Sequence, residues 1–203
     1  MNRRDFILAI SAALGTTPVL PAMAQQQRAT LTELSAYVDG IASVTARFTQ
    51  INADGTQSAG LVSIRRPGRA RFEYDPPNQD ALVVAGGGQL AVFDGRASGQ
   101  PQQFPLSRTP LALILARNVD LTRASMITGI GTHRNMTIVE AQDRDHPEYG
   151  TIRLYFETDP IRLAEWVITA QSGEQTRTIL DPFEARTDLP NTLFDIGLIA
   201  RTR

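Results

Sequence analysis

The 203-residue sequence contains no cysteine, and each of its 20 basic residues is an arginine. The absence of cysteine excludes disulfides, thiolate metal sites, cysteine nucleophiles and lipidation through a cysteine. With 21 acidic residues against 20 basic ones, the formal charge of −1 gives no positive excess that would indicate a nucleic-acid ligand. An apolar fraction of 42% is ordinary for a globular domain, so composition excludes a low-complexity or fibrous chain.

Residue types that carry catalysis or bind metals are also scarce. The sequence holds only two histidines, His133 and His146, and neither has the carboxylate spacing of a metal site. There is no Gly-x-Ser-x-Gly elbow, and Gly86-Gly87-Gly88 lacks the glycine spacing of a phosphate-binding loop. We therefore predict that the protein is not an enzyme and uses no cofactor or metal.

The N-terminus has the pattern of an export signal. A basic start with Arg3-Arg4 precedes the apolar run Phe6–Leu14, and Ala22-Met23-Ala24 fits the small-x-small pattern that signal peptidase cleaves. The apolar run is too short to span a bilayer. We predict a cleaved signal over residues 1–24, of the twin-arginine or the Sec type, followed by a single periplasmic domain over residues 25–203.

One amphipathic helix is predicted at the start of this domain. Thr30 and Glu33 have the spacing of a capping box, and apolar residues then recur at steps of three and four, which predicts a helix over residues 31–44. The first strand is expected at residues 48–51. Further short strand-like segments are separated by hairpin-length turns, and we predict them at 61–66, 70–74, 81–85, 90–94, 137–141, 151–157, 163–169, 175–180 and 193–196. Such a series predicts an antiparallel sheet, and so many strands usually curl or close.

Residues 109–116 interrupt the strands. Thr109-Pro110 is typical of a helix start, and the residues from Leu111 to Ala116 are apolar on every side. Such a helix must be buried on both faces or must cover an apolar surface. A second, weaker helical turn is expected within residues 120–131.

The segment GLVSIRRPGRARFEYDPP at residues 60–77 resembles the signature of the LolA family, the periplasmic carriers of outer-membrane lipoproteins. The similarity continues at Leu82–Gly86 and Leu90–Asp94, and it returns at Leu163–Ile168 and Leu193-Phe194. It therefore covers almost the whole mature chain in the family's order. The resemblance implies mainly β structure with some α: an incomplete, half-open antiparallel barrel of about eleven strands covered by a helical lid.

The resemblance also implies a cavity for lipoprotein acyl chains between the concave face of the sheet and the lid. It implies that Arg66 points inward, and because strand residues alternate between faces, Val62 and Ile64 then point inward too. Ala70, Phe72 and Tyr74 share one face of the next strand, and Leu111, Ile114 and Leu115 belong to the predicted lid helix. These eight residues are the expected lining of the acyl-chain cavity. Ala70 stands where many relatives carry an aromatic residue, so a different cavity shape is expected there.

Arg66 matches the arginine that holds the lid of the empty carrier closed in the family. An arginine on the apolar side of a sheet must find acceptors, because an unpaired buried charge costs several kcal/mol. The resemblance therefore implies that Arg66 is the lid switch. The alternative is an arginine that points to solvent at a strand end, which is the expectation for Arg65.

The partners implied by the resemblance are an inner-membrane ABC transporter of the LolCDE type, which loads the carrier, and an outer-membrane acceptor of the LolB type or another kind. LolB-type proteins are themselves lipoproteins with a cysteine at the cleavage site, where this sequence has Gln25. A second hypothesis is a LolA-like module that senses lipids or lipoproteins in the envelope. We expect a monomer, because the pattern indicates no apolar surface left for a second copy.

Overall fold

The computed structural model describes residues 28–95, 100–122 and 125–203. The predicted signal over residues 1–24 lies outside the described residues, so its cleavage remains a prediction. In the described part of the chain, no helix combines the length and the apolar character needed to cross a membrane.

The described residues form one antiparallel sheet of twelve strands. The strands are β1 (Ser43–Ile51), β2 (Gln57–Arg65), β3 (Ala70–Tyr74), β4 (Leu82–Gly86), β5 (Gln89–Phe93), β6 (Gln102–Pro105), β7 (Ile127–His133), β8 (Met136–Gln142), β9 (Thr151–Thr158), β10 (Ile161–Thr169), β11 (Gln175–Leu180) and β12 (Glu184–Ala185). Their order is β6-β5-β4-β3-β2-β1-β11-β10-β9-β8-β7, and the short β12 pairs with β1. Within the described residues β6 and β7 each pair with one neighbour only, so the sheet is open, which confirms the predicted incomplete barrel.

The connectivity explains why a lid exists. Strands β1 to β6 form one meander of hairpins, β7 to β11 form a second, and the two join where β1 pairs with β11. The chain must therefore travel from one edge of the sheet, β6, to the other edge, β7. The crossing segment contains a 3₁₀ turn, Leu106–Arg108, and the short helix α2 (Ala112–Leu115), whose apolar side chains are buried. We name residues 106–116 the lid.

The helix at the start of the domain is shorter than predicted. Helix α1 (Leu31–Gly40) has the predicted capping box between Thr30 and Glu33, but it ends at Gly40 rather than at residue 44. Strand β1 then begins at Ser43, five residues before the predicted start. Residues 43–47 alternate across the sheet with a period of two, and pairing with β2 over their whole length stabilises them as strand.

Two further sequence predictions are wrong in type. The region predicted as a weak helix over residues 120–131 contains strand β7, which is stabilised by pairing with β8 along its whole length. The strand predicted at 193–196 is instead a 3₁₀ turn, Asn191–Phe194, followed by helix α3 (Ile196–Thr202), whose first turn is capped by Asp195. Helix α3 covers the convex face of β4 and β5, which explains the apolar residues that suggested a strand.

The pairing register places apolar residues in rows across the concave face. Val62 lies opposite Ala46 on one side and Phe72 on the other, and Ile64 lies opposite Ala70. Antiparallel neighbours in register share a face, so these side chains form one continuous surface. The predicted strand parity is therefore confirmed on β2 and β3.

Gly60 provides a test of this packing. A Cβ atom at Gly60 would lie 2.0 Å from the carbonyl oxygen of Glu73 and 2.7 Å from the ring of Phe48. Because a backbone oxygen cannot yield as a flexible side chain does, we expect Gly60→Ala to lower the free energy of unfolding by about 1–3 kcal/mol. Urea unfolding followed by near-ultraviolet circular dichroism measures this change. Gly40→Ala is the control, since nothing lies within 4 Å of its Cβ position, and an equal loss in both variants would contradict the packing argument.

Candidate functional site

The structure brings the eight predicted cavity residues together. Seven of them are buried in one apolar cluster between the concave face and the lid, namely Val62, Ile64, Ala70, Phe72, Leu111, Ile114 and Leu115. Tyr74 is partly buried and packs against the same cluster. Ile114 and Leu115 are each only 1% exposed, so the lid helix is packed onto the sheet and not merely placed above it.

An aromatic group forms the floor of this interior. The ring of Phe48 makes edge-to-face contacts with Phe72 and Tyr74, with centroids 5.7 and 5.4 Å apart, and Phe72 makes another with Trp166 at 6.2 Å. The hydroxyl of Tyr74 donates to Oε1 of Gln50 at 3.0 Å, and burial raises the pKa of Tyr74. Sequence reasoning did not assign Phe48 and Trp166 to the cavity. The alternation of Val44, Ala46 and Phe48 along β1 was the signal that could have found the first of them.

Arg66 lies at the end of β2, where it faces the lid. Its side chain is 5% exposed. Nε and Nη2 both donate to the carbonyl oxygen of Ala116, the last lid residue, at 3.0 and 2.6 Å. Nη1 donates to the carbonyl oxygen of Val38 in α1, and Nη2 forms an ion pair of 3.0 Å with Asp39. One guanidinium thus joins the sheet, helix α1 and the lid.

The turn after Arg66 also contacts the lid. The backbone N–H of Gly68 donates to the carbonyl oxygen of Leu115 at 2.8 Å. Gly68 has a φ of +71°, a conformation that other residues adopt only with strain. The Pro67-Gly68 turn therefore positions a backbone donor beside the guanidinium, and both bind carbonyls at the end of α2. The C-terminal carbonyls of a helix are the natural acceptors for such donors.

The segment that follows the lid is attached to α1. Oδ1 of Asp39 accepts the N–H of Val119 at 2.8 Å, and Oγ of Ser35 accepts the N–H of Leu121 at 2.9 Å. The Val119 hydrogen bond and then Arg66 lower the pKa of Asp39. Residues 119–121 are therefore anchored on α1 independently of the lid itself. We name Arg66, Asp39 and their lid-side partners Ala116 and Val119 the latch.

Amide hydrogen exchange can test the two anchors separately. In Asp39→Ala the Val119 amide loses its acceptor, so we expect its exchange to accelerate while the Leu121 amide remains protected. Ser35→Ala is the matched variant, for which the opposite pattern is expected. Residue-resolved exchange by NMR measures both amides in each protein. Equal acceleration of the two amides in either variant would show that the segment opens as one unit.

The same amide should report the ionisation of Asp39. A carboxyl whose pKa is lowered in the folded state contributes stability above its ordinary pKa of about 4, and loses it as the pH falls through the lowered value. Protection of Val119 is therefore expected to be constant from neutral pH to about pH 4 and to weaken only below that. Loss of protection near pH 6 would contradict the assignment to Asp39.

The space between sheet and lid is filled by side chains. A cavity of about 840 Å³ lies elsewhere, at the end of the sheet opposite Arg66, and of the predicted site residues only Tyr74 lines it. The described conformation is therefore a closed one, and a ligand between sheet and lid would have to replace lid side chains. The sequence predicted a cavity for acyl chains at this place, and the structure shows it filled by lid side chains.

The two histidines are not part of this site. His146 stacks on Tyr149 with ring centroids 4.8 Å apart, and its Nδ1 lies 3.1 Å from Oε1 of Glu148. His133 is exposed at the end of the edge strand β7. Across the ranges that the structure describes, no group of three or more metal-ligating side chains is found.

Comparisons with known proteins agree with the geometry. The family model described as "Outer membrane lipoprotein carrier protein LolA" matches residues 39–197. An outer-membrane lipoprotein carrier protein of Coxiella burnetii is 32% identical over 173 residues, which cover 81% of each chain. One from Chromobacterium violaceum is 26% identical over 196 residues, which cover 93% of this chain and 91% of the relative.

A solved structure shares the fold. The putative outer membrane lipoprotein-sorting protein domain from Vibrio parahaemolyticus superposes with a TM-score of 0.50 at 8% identity, over 84% of this chain and 97% of that one. At this identity the likeness concerns the fold alone. The family model extends over most of the chain and includes both the sheet and the lid. The chain therefore belongs to the LolA family of outer membrane lipoprotein carrier proteins.

Proposed function

We propose that this chain is a monomeric periplasmic carrier that binds the acyl chains of lipoproteins between the concave face of its sheet and its lid. The observation that supports this most directly is the lid itself. Leu111, Ile114 and Leu115 cover the concave face, and hydrogen bonds attach the lid near its two ends: Arg66 and Gly68 donate to its last residues, and the N–H of Leu106 donates to the carbonyl oxygen of Gly88. A cover attached by hydrogen bonds near its ends can open without disrupting the strand pairing beneath it.

Opening places the acyl chains between the sheet and the lid. In the closed form the lid leucines and isoleucine fill the concave face, and in the loaded form they cover the acyl chains that lie on it. Burial of an acyl chain stabilises the complex by about 0.8 kcal/mol per methylene, or on the order of 10 kcal/mol per chain. The cost is the loss of the lid contacts, including the hydrogen bonds of Arg66 to Ala116. Arg66 therefore sets the balance between the empty and the loaded carrier.

The free energy of acyl-chain transfer indicates which partners the carrier needs. The inner membrane already buries the acyl chains, so their transfer to a protein interior is close to neutral, and opening the latch makes it unfavourable. We assign the work to an ATP-driven transporter of the LolCDE type in the inner membrane. Delivery then requires an acceptor of the LolB type or another outer-membrane site with higher affinity. The carrier's own role is binding and release, without catalysis.

The composition of the purified protein tests this proposal. Protein isolated from the periplasm and analysed by mass spectrometry is expected to carry lipidated proteins in about equal molar amount. Its depletion is expected to leave outer-membrane lipoproteins in the inner membrane. A protein that binds lipid but leaves lipoprotein sorting unchanged when depleted would instead support the sensing module.

A further inference from the structure

The cavity opposite Arg66 lies at the end of the half-barrel that the lid does not cover. It forms where β1, β3 and β5 end and where β2 and β4 begin, and its volume is about 840 Å³. Its inner wall includes Tyr74, Val83 and Val92. Tyr74 and Val83 also pack against the apolar cluster beneath the lid. The cavity therefore adjoins the interior to which the proposed function assigns the acyl chains, and Tyr74 and Val83 form the wall between them.

The rim of this cavity combines amides with carboxylates. The amide side chains are Gln50, Asn52, Gln57, Asn78, Gln100 and Gln102, and the carboxylates are Asp54, Asp80 and Asp94. Among the described residues that line the cavity, none is an arginine or a histidine. Hydrogen bonds from the hydroxyl and N–H of Thr56 lower the pKa of Asp54, which keeps it ionised at neutral pH. Among the described residues, the rim of the cavity is therefore acidic.

We propose that this cavity receives the polar junction of a diacylglyceryl-cysteine and that its carboxylates exclude diacyl lipids with an anionic head group. The inference rests on the proposed function, because it concerns the polar end of the same ligand. When the α-amino group of the lipidated cysteine is acylated, the junction is uncharged: its amide N–H groups can donate to rim oxygens, and its ester oxygens can accept from rim amides. A phospholipid of the same chain length brings a phosphate instead.

The charge of the head group distinguishes the two kinds of lipid, whereas their acyl chains do not. Both kinds of lipid offer the interior the same methylenes, so burial alone does not separate them. A phosphate at the rim is repelled by carboxylates several ångströms away, and two such charges are expected to weaken its binding about tenfold at low salt. Ions screen this repulsion over about 10 Å at 0.1 M salt, so the discrimination should fall as salt is added.

The test compares two fluorescent lipids with identical acyl chains, a diacylglycerol and a phosphatidylglycerol. Their dissociation constants are measured for the purified mature protein and for the double variant Asp54→Asn, Asp80→Asn. Asparagine keeps an oxygen acceptor at position 54, so the turn that contains Thr56 is retained. The control is Asp159→Asn, Asp188→Asn, which makes the same change in net charge at two exposed residues that do not line the cavity.

The wild type is expected to bind diacylglycerol more tightly than phosphatidylglycerol. The ratio of the two dissociation constants should shrink about tenfold in the Asp54/Asp80 variant and similarly in high salt, and it should be unchanged in the control. An equal affinity of the wild type for both lipids would overturn the proposal. So would a preference that survives the two substitutions, and in both cases acyl binding itself would stand. If neither lipid bound, the proposed function would fall, and this inference with it.

Discussion

Arg66→Leu is expected to give a carrier that accepts acyl chains but does not release them. The substitution removes all five guanidinium donors and leaves the carbonyls of Ala116 and Val38 without their present partner. It also adds apolar surface beside the interior. The closed empty form should lose about 1–3 kcal/mol, which shifts the transfer equilibrium roughly 5- to 150-fold toward the loaded carrier.

A reconstituted transfer assay with labelled lipoprotein measures this effect as the fraction handed to the acceptor. Arg66→Lys should be milder but not silent, because one ammonium group cannot reproduce the planar fork that reaches the lid, α1 and Asp39 together. Arg65→Leu is the matched control, since the Arg65 side chain donates to Leu189 and Asn191 and not to the lid. Normal transfer by the Arg66→Leu variant would place the switch elsewhere.

Much of the sheet could be predicted because strand identity is encoded locally. The period-two alternation and the turn signals gave β3 and β11 their observed bounds and placed Val62 and Ile64 on the inner face. The inward orientation of Arg66 came from the resemblance to the family, and the alternation then fixed Val62 and Ile64 relative to it. The short β6 and the glycine-containing β7 lack an apolar alternation of their own. Their strand structure depends on pairing with β5 and β8, which no local pattern encodes.

The latch shows a different limit of prediction from sequence. The sequence indicated no role for Asp39 and Ser35, which accept the N–H groups of Val119 and Leu121, 80 and 86 residues away in sequence. Backbone donors of a connecting segment carry no side-chain signature. Which side chain binds such a segment therefore depends on the position of the crossover between β6 and β7. That position depends on the whole sheet. The resemblance implied a closed lid in the empty carrier, but a sequence pattern that indicates burial does not identify which apolar side chains fill the space beneath the lid.

Two substitutions in the lid are expected to lower the affinity for acyl chains strongly. In the double variant Leu111→Asp, Ile114→Asp, two carboxylates replace side chains that are 7% and 1% exposed, and an unpaired buried carboxylate costs several kcal/mol. We expect the lid to detach, so that it no longer covers a bound acyl chain. The affinity for a fluorescent fatty acid should then fall at least about a hundredfold, because each leucine or isoleucine buried against the chain in the loaded form contributes about 1.5–3 kcal/mol. The strands should survive, since they pair with one another and not with the lid.

Two observations decide between this outcome and simple unfolding. Strand content measured by far-ultraviolet circular dichroism should match the wild type, and Leu111→Ala, Ile114→Ala provides a milder variant in which the affinity falls without a buried charge. Ile179→Asp is the control, because Ile179 is already 37% exposed and should tolerate a carboxylate. If the fatty acid bound both lid variants as tightly as the wild type, α2 would be part of the permanent core. The acyl chains would then have to enter through the uncovered end of the half-barrel, past Tyr74, with the lid closed throughout.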